Sequence, residues 1–106
     1  MATGRLGTAD LTAATDTTVY TCPVDTFSVV TVSVCNRGTA TAAVRVALSA
    51  SGTPSSAEFL EFDAEILAKN VLERTGIVLD AGKNIVVRSN AANCSVVVMG
   101  IETSTI

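Results

Sequence analysis

Short runs in which apolar and polar residues alternate, each ended by a turn signal, recur along most of this chain. In the run Phe27–Cys35 the valines at even positions alternate with threonine and serine, which is the two-residue period of a half-buried β-strand. Phe27 and Val29 have the opposite parity. Two explanations follow: both faces of this strand are partly covered, or a bulge near Val29 and Val30 switches the register.

The same pattern predicts the other elements. Strands are predicted at Thr17–Cys22, Phe27–Cys35, Val44–Leu48, Glu58–Asp63, Leu72–Leu79, Ile85–Arg88 and Cys94–Ile101, with a single helical turn at Ala64–Ala68. The pattern gives about eight short strands, separated by turn signals at a spacing of roughly 8 to 12 residues. This arrangement predicts an all-β fold. We expect an antiparallel β-sandwich, with a barrel-like form as the alternative and at most one short helical turn. A chain of 106 residues predicts one domain, residues 1–106.

The shortage of charge changes this picture, because only 16% of the residues are charged while 48% are hydrophobic. An average soluble domain has about 25% charged residues. The outward parity of many predicted strands carries Thr, Ser or Ala, and the lysines and prolines that normally guard a sheet edge are sparse. We therefore expect part of the sheet surface to be covered by another molecule.

Several partner and site classes are disfavoured by composition. The net charge of −3 provides no basic face for a phosphate backbone, so no nucleic-acid partner is expected. No apolar run has the length of a membrane span and the start does not resemble a secretory signal, so we expect synthesis in the cytoplasm and no membrane partner. Three cysteines without histidine or CxxC spacing predict reduced thiols and no metal site.

Few residues of this chain are candidates for a catalytic or metal-binding site. Glu58, Glu61, Asp63 and Glu65 form an acidic cluster without the spacing of a calcium loop, and the absence of tryptophan removes the usual sugar platform. This cluster predicts a solvated or partner-facing surface in preference to a metal or acid/base site. We expect no enzymatic activity.

Arginine supplies most of the positive charge. Arg45 and Arg88 lie inside predicted strands, whereas Arg37 and Arg74 lie beside turn-like residues. Arginine is favoured at protein interfaces because its planar fork pairs with carboxylates. The predicted partner interface therefore comprises Arg37, Arg45, Arg74, Arg88, Glu58, Glu61 and Asp63. The alternative is pairing within one chain, as for Arg74 and a nearby carboxylate.

The chain ends are small, polar and rich in threonine. Segments of this composition are normally disordered, but in an assembly they can add main-chain hydrogen bonds to a neighbour's sheet edge. Two alternatives are therefore predicted for residues 1–15: a disordered tail, or an extended N-terminal arm that lies across a neighbour.

Several short sequence motifs resemble those of small virion structural proteins of tailed bacteriophages, including cyanophages. They include Gly4–Gly7, Thr18–Pro23, Val34–Gly38, Val44–Leu48, Glu61–Asp63, Val71–Ile77, Asp80–Lys83 and Val98–Glu102. The likeness covers nearly the whole chain, and its motifs are strand and turn signatures.

The resemblance implies a mechanical role in the virion, without cofactors. We expect a capsid cement or decoration protein that docks on and bridges major capsid subunits. The alternatives are a neck, tail or baseplate subunit and, less favoured, a glycan-binding module. Binding many equivalent sites on a shell suits a symmetric homo-oligomer, for which a trimer is favoured.

Overall fold

A computed structural model describes residues 2–106 and contains eight β-strands and one 3-10 turn. The strands are β1 Thr3–Asp10, β2 Thr17–Thr21, β3 Thr26–Asn36, β4 Ala42–Ser49, β5 Phe59–Ile66, β6 Val71–Leu79, β7 Asn84–Ser89 and β8 Cys94–Ser104, and the 3-10 turn is Ser56–Glu58. All neighbouring strands pair antiparallel. The predicted all-β sandwich is confirmed, and its two sheets do not close into a barrel.

Four strands form each sheet, in the order β1-β8-β3-β6 (sheet A) and β2-β7-β4-β5 (sheet B). Except for the β4–β5 connection, consecutive strands lie in opposite sheets, so the chain repeatedly crosses from one sheet to the other. This order is that of an eight-stranded jelly roll built from two Greek keys. The fold therefore presents two outer faces, one on each sheet.

The longest pairing joins β3 to β8 in the middle of sheet A. The register runs without interruption from the pair Thr26 and Ser104 to the pair Asn36 and Cys94. Every second residue of β3 is buried along its whole length, so Phe27 and Val29 lie on the outer face and no register switch occurs within β3. The bulge explanation is therefore wrong for β3, and Phe27 and Val29 are exposed on the outer face. The irregularity lies instead in the pairing with β6.

The core between the sheets consists largely of β-branched residues, which pack well on a pleated surface. Its fully buried large side chains include Val30, Val32, Val34, Val44, Val46, Ile85, Val87, Val96 and Val98. The buried amide of Asn36 donates to the carbonyls of Ala40 and Ile66 and accepts from the nitrogen of Gly38. These bonds connect the end of β3 to the end of β5, and therefore sheet A to sheet B.

Two local predictions differ from the structure. The residues predicted as a helical turn, Ala64–Ala68, begin with the end of β5, where Ala64 and Ile66 pair with β4. Burial of the Ile66 side chain in the core favours the extended backbone there. The short helical turn lies earlier, at Ser56–Glu58. In the segment 1–15, predicted as an arm, Thr3–Asp10 forms β1 and pairs with β8 of the same chain.

Gly100 permits a close backbone approach in the middle of sheet A. A Cβ atom built there would lie 2.0 Å from the carbonyl oxygen of Val29 and 2.8 Å from Cα of Val30. Both are backbone atoms of β3, which cannot move without disturbing the β3–β8 register. Only glycine fits at this position.

A hydrogen-bond network joins the two sheets at one end of the sandwich. The hydroxyl of Tyr20 on β2 lies 2.6 Å from Ser28 Oγ and donates to Glu102 Oε2 at 2.6 Å, while Glu102 Oε1 accepts from the nitrogen of Ala2. Burial and the bond to Glu102 raise the pKa of Tyr20. The bonds from Tyr20 and from Ala2 lower the pKa of Glu102.

We expect Gly100→Ala to lower the free energy of unfolding by about 2–3 kcal/mol, because the added methyl group must displace the β3 backbone. Urea denaturation measures the change. Gly52→Ala is the matched control, because its Cβ would meet nothing nearer than Thr18 Oγ1 at 3.5 Å, and it should change stability by less than about 0.5 kcal/mol. Equal stability of the two variants would contradict the assigned register.

Glu102→Gln should reduce stability at pH 7 by about 1–2 kcal/mol, because the carboxylate accepts two of the three hydrogen bonds of the network. The pKa of Glu102 is lower in the folded protein than in the unfolded chain, where it has the ordinary glutamate value of about 4.3. The stabilisation by its carboxylate is therefore complete above that unfolded pKa and is lost as the pH falls through the folded pKa. Urea midpoints between pH 7 and pH 3 should therefore decline less in the variant than in the parent protein. Glu73→Gln, on an exposed part of β6, should keep the parent pH dependence; the same dependence in all three proteins would refute the role of Glu102.

Candidate functional site

The outer face of sheet A carries no charge on its two central strands. Its residues on β3 and β8 face each other in the pairs Phe27–Thr103, Val29–Ile101, Thr31–Met99, Ser33–Val97 and Cys35–Ser95. A solvated antiparallel sheet face is normally polar, and exposed strands commonly carry charges that prevent association. The centre of this face mixes apolar and hydroxyl-bearing side chains and carries no charge.

Exposed apolar side chains concentrate at one end of this face. Ile101, Val29 and Val78 lie side by side across β8, β3 and β6, with exposed fractions of 55%, 41% and 59%, and Phe27 is next to Val29 along β3. We name Phe27, Val29, Val78 and Ile101 the outer patch. A contiguous apolar patch on a folded surface commonly marks an interaction site.

Charge on this face is confined to the edge strands. Arg5 and Asp10 on β1 pair with Met99 and Ser95, and Glu73 on β6 pairs with Ser33. The face therefore has an uncharged middle and a charged border. Protein interfaces have the same arrangement, with charged residues depleted in the centre and a polar rim.

The outer face of sheet B is different because a bulge in β5 brings charged groups together. Phe62 and Asp63 both lie opposite Arg45, between the pairs Val44–Ala64 and Val46–Glu61. The guanidinium of Arg45 is 4.1 Å from the ring centroid of Phe62, and its Nε donates to Asp63 Oδ1 at 2.7 Å. The hydrogen bond from Arg45 lowers the pKa of Asp63.

Arg88 pairs directly with Arg45 across β7 and β4. Like charges at such a position repel. Asp63 offsets the charge of Arg45, and Oδ1 of Asp16 lies 3.8 Å from Nη1 of Arg88. A cavity of about 280 Å³ opens beside the two arginines. Its lining consists of Ala14, Ala43, Arg45, Asp63, Arg88 and Asn90.

The remaining residues of the predicted interface lie at separate places and contact their own chain. Arg74 donates to Glu61 at 2.6 Å and joins the edges β6 and β5 of the two sheets. Arg37 donates to Asp10 on β1 at 2.6 Å.

Glu58, also in the predicted interface, organises the loop between β4 and β5. Its carboxylate accepts hydrogen bonds from Ser49 Oγ and from the nitrogens of Ala50 and Ser55. The bonds from the Ser55 and Ala50 nitrogens lower the pKa of Glu58 most. Of the seven predicted residues, the structure thus brings Arg45, Asp63 and Arg88 into one cluster.

The residues of the outer patch are absent from the interface predicted from the sequence. The odd parity of Phe27 and Val29 was the available signal, but a bulge explained it equally well. Val78 and Ile101 join them only through strand pairing, which no local pattern encodes. Asp16 and Asn90 were also missed, because they belong to loops that the fold brings to the same end of sheet B.

Three further properties of the described residues bear on the site. No group of three or more His, Cys, Asp or Glu side chains within residues 2–106 is arranged to hold a metal ion. Over the same range, no helix has the length and apolar character needed to cross a membrane. Cys22, Cys35 and Cys94 are free thiols, of which Cys35 alone lies on the outer face of sheet A.

No protein-family profile matches the sequence, and no curated protein matches it significantly. Among solved structures, the chain is similar to a crystal structure of a pentameric capsid protein isolated from metagenomic phage sequences. The TM-score is 0.42, the sequence identity is 19% and the similarity covers 93% of this chain. This chain spans 64% of the length of that capsid protein. Similarity at this level carries no functional inference.

Alkylation of the native protein with N-ethylmaleimide should modify one thiol rapidly. Cys35 is partly exposed, whereas Cys22 and Cys94 are 1% and 0% exposed. Mass spectrometry should detect a single adduct on Cys35 in buffer and three adducts in urea. Cys35→Ser should remain unmodified in buffer. Rapid modification of Cys22 or Cys94 in the folded protein would contradict the assigned burial.

Proposed function

We propose that this chain is a structural protein of a bacteriophage virion, and specifically a capsid cement protein that docks on and bridges major capsid subunits through the outer face of sheet A. The observation that carries the proposal is the uncharged middle of this face, with the outer patch at one end. In this role the protein makes a mechanical contact with capsid subunits, which requires neither a cofactor nor a catalytic residue. The place of action is the virion, after synthesis in the host cytoplasm.

Two further arguments support the proposal. The short sequence motifs that resemble those of small virion proteins extend over nearly the whole chain. One of them, Val98–Glu102 in β8, contains Ile101 of the outer patch. The jelly roll is also an architecture of viral capsid domains, although lectins and cupins share it. The lectin alternative lacks support in this chain, which has no tryptophan.

The energetics favour attachment at several points. A standard interface hides about 800 Å² per partner, and the apolar share of that area provides on the order of 10 to 20 kcal/mol before the costs of association. Those costs remove about 4 to 15 kcal/mol. One contact is therefore modest. A homo-oligomer, with a trimer favoured, would bind several capsid subunits at once and gain retention through effective concentration.

The location within the virion is tested by copy number. Densitometry of purified particles should give a ratio near 1:1 with the major capsid protein if the chain is a cement protein. A few copies per particle would instead assign it to the neck, tail or baseplate. Absence from purified particles would refute a virion role altogether.

The docking face is tested by placing a charge in the outer patch. Ile101→Glu should reduce the incorporation of the protein into particles by at least about tenfold, because the carboxylate would lose its hydration in the contact. Leu67→Glu is the matched control, because Leu67 is 60% exposed and lies in the β5–β6 connection, outside sheet A. Incorporation is measured by sedimentation of particles after addition of each folded variant. Normal incorporation of Ile101→Glu would exclude the outer patch as the docking site.

A further inference from the structure

The cavity on the outer face of sheet B contains hydrogen-bond donors without partners. Arg88 makes no side-chain hydrogen bond within residues 2–106, and its ion pair with Asp16 spans 3.8 Å. Arg45 uses Nε and Nη2 on Asp63, so Nη1 remains free. Asn90 accepts a bond from the nitrogen of Ala43 through Oδ1, and its Nδ2 donates to no group in the described chain. Three side chains that line this cavity thus have donors unused within the described chain.

The acceptors at the cavity are largely occupied. Both oxygens of Asp63 are bonded to Arg45, and Oδ1 of Asn90 is bonded to the backbone. Asp16 is close enough to reduce repulsion between the arginines but too distant to form a hydrogen bond with Arg88. A ligand that supplies acceptor oxygens would therefore complete the arrangement.

Backbone conformation fixes the walls of this cavity. Ala14 and Asp63 have positive φ values of 55° and 53°. Aspartate tolerates this region better than alanine does, and a strained residue persists only where its surroundings hold it. The nitrogen of Ala14 donates to the carbonyl of Ser89, next to Arg88, at 2.7 Å. The loop between β1 and β2 is thus fixed against the strand that carries Arg88.

We propose that this cavity is a binding site for one carboxylate group, held by the fork of Arg88 and the amide of Asn90. Arginine binds carboxylates through two parallel hydrogen bonds, which gives direction as well as charge. The charges of Arg45, Arg88, Asp16 and Asp63 sum to zero, so a singly charged carboxylate meets less repulsion than a phosphate dianion. The site lies on the sheet opposite the outer patch, and its occupancy does not depend on the proposed virion role.

The carboxylate can belong to an acidic side chain of a neighbouring protein or to a free carboxylic acid. Titrations of the ¹⁵N-labelled protein at constant ionic strength distinguish these sources. One titration uses acetate, a second uses an acetylated and amidated Gly-Glu-Gly tripeptide, and sodium phosphate and sodium chloride are the comparison salts. The side-chain signals of Arg88 and Asn90 should shift saturably with both carboxylates, with half-saturation at about 1–10 mM. Tighter binding of the tripeptide would assign the site to an acidic side chain, and equal or weaker binding to a free acid.

Variants test the individual roles. Arg88→Gln should weaken carboxylate binding at least about tenfold. Asp16→Asn should strengthen it by about two- to fivefold, because it removes the competing carboxylate. Arg5→Gln is the matched control, because it removes one arginine from the other sheet and should leave the affinity unchanged. Because Asp16→Asn predicts a gain, the test does not rest on a variant that loses binding through misfolding.

Three results would overturn the proposal. The first is equal affinity in the parent protein and a folded Arg88→Gln variant, shown folded by its dispersed amide spectrum. The second is unchanged affinity in Asp16→Asn. The third is a response to phosphate or chloride as large as that to acetate, which would indicate general charge screening.

Discussion

The pairing of β3 with β8 is the constraint on which the rest of the structure depends. Each strand has eleven residues, and they pair along their full length in the middle of sheet A. Their inward residues form much of the core, and their outward residues form the uncharged centre of the candidate interface. A shift of one residue would exchange the two sets, because side chains alternate between faces. The close approach at Gly100 helps to exclude such a shift.

Most polar groups that suggested contacts with a partner have partners within the chain. Arg74 joins the edges of the two sheets through Glu61, Arg37 binds Asp10, and Glu58 folds its own loop. Exposed pairs of this kind add little stability individually. They do pair part of the charge that the chain carries, and the middle of sheet A remains uncharged. Interface residues are therefore better sought among the exposed apolar side chains than among the charges.

The two outer faces have opposite chemical character. Sheet A presents β-branched and hydroxyl-bearing side chains with charge only at its border, which suits a broad contact with an apolar partner surface. Sheet B presents a bulge, two adjacent arginines and a cavity, which suits recognition of a single polar group. In the proposed bridging role, contacts on opposite faces would connect different neighbours.

The sequence alone determined the all-β class, the approximate positions of most strands and the shortage of surface charge. These properties are local or compositional: the alternation in Phe27–Cys35 needs no knowledge of other strands. The sequence also indicated outward-facing apolar side chains on β3, because Phe27 and Val29 occupy odd positions while the core valines occupy even ones. A bulge could have produced the same pattern. One exception is the segment Ala64–Ala68, where pairing with β4 overrode a local helical signal.

Only the tertiary structure decided which strands are neighbours. The interleaved sheet order, the pairing of Thr3–Asp10 with β8, the outer patch and the cavity all join residues that are distant along the chain. Val78 meets Val29 because β6 pairs with β3, and Asn90 approaches Arg45 because β7 pairs with β4. Local alternation specifies which residues share a face of one strand. The free energy of closing two sheets over a common core selects the neighbours of that strand, and this selection creates both candidate sites.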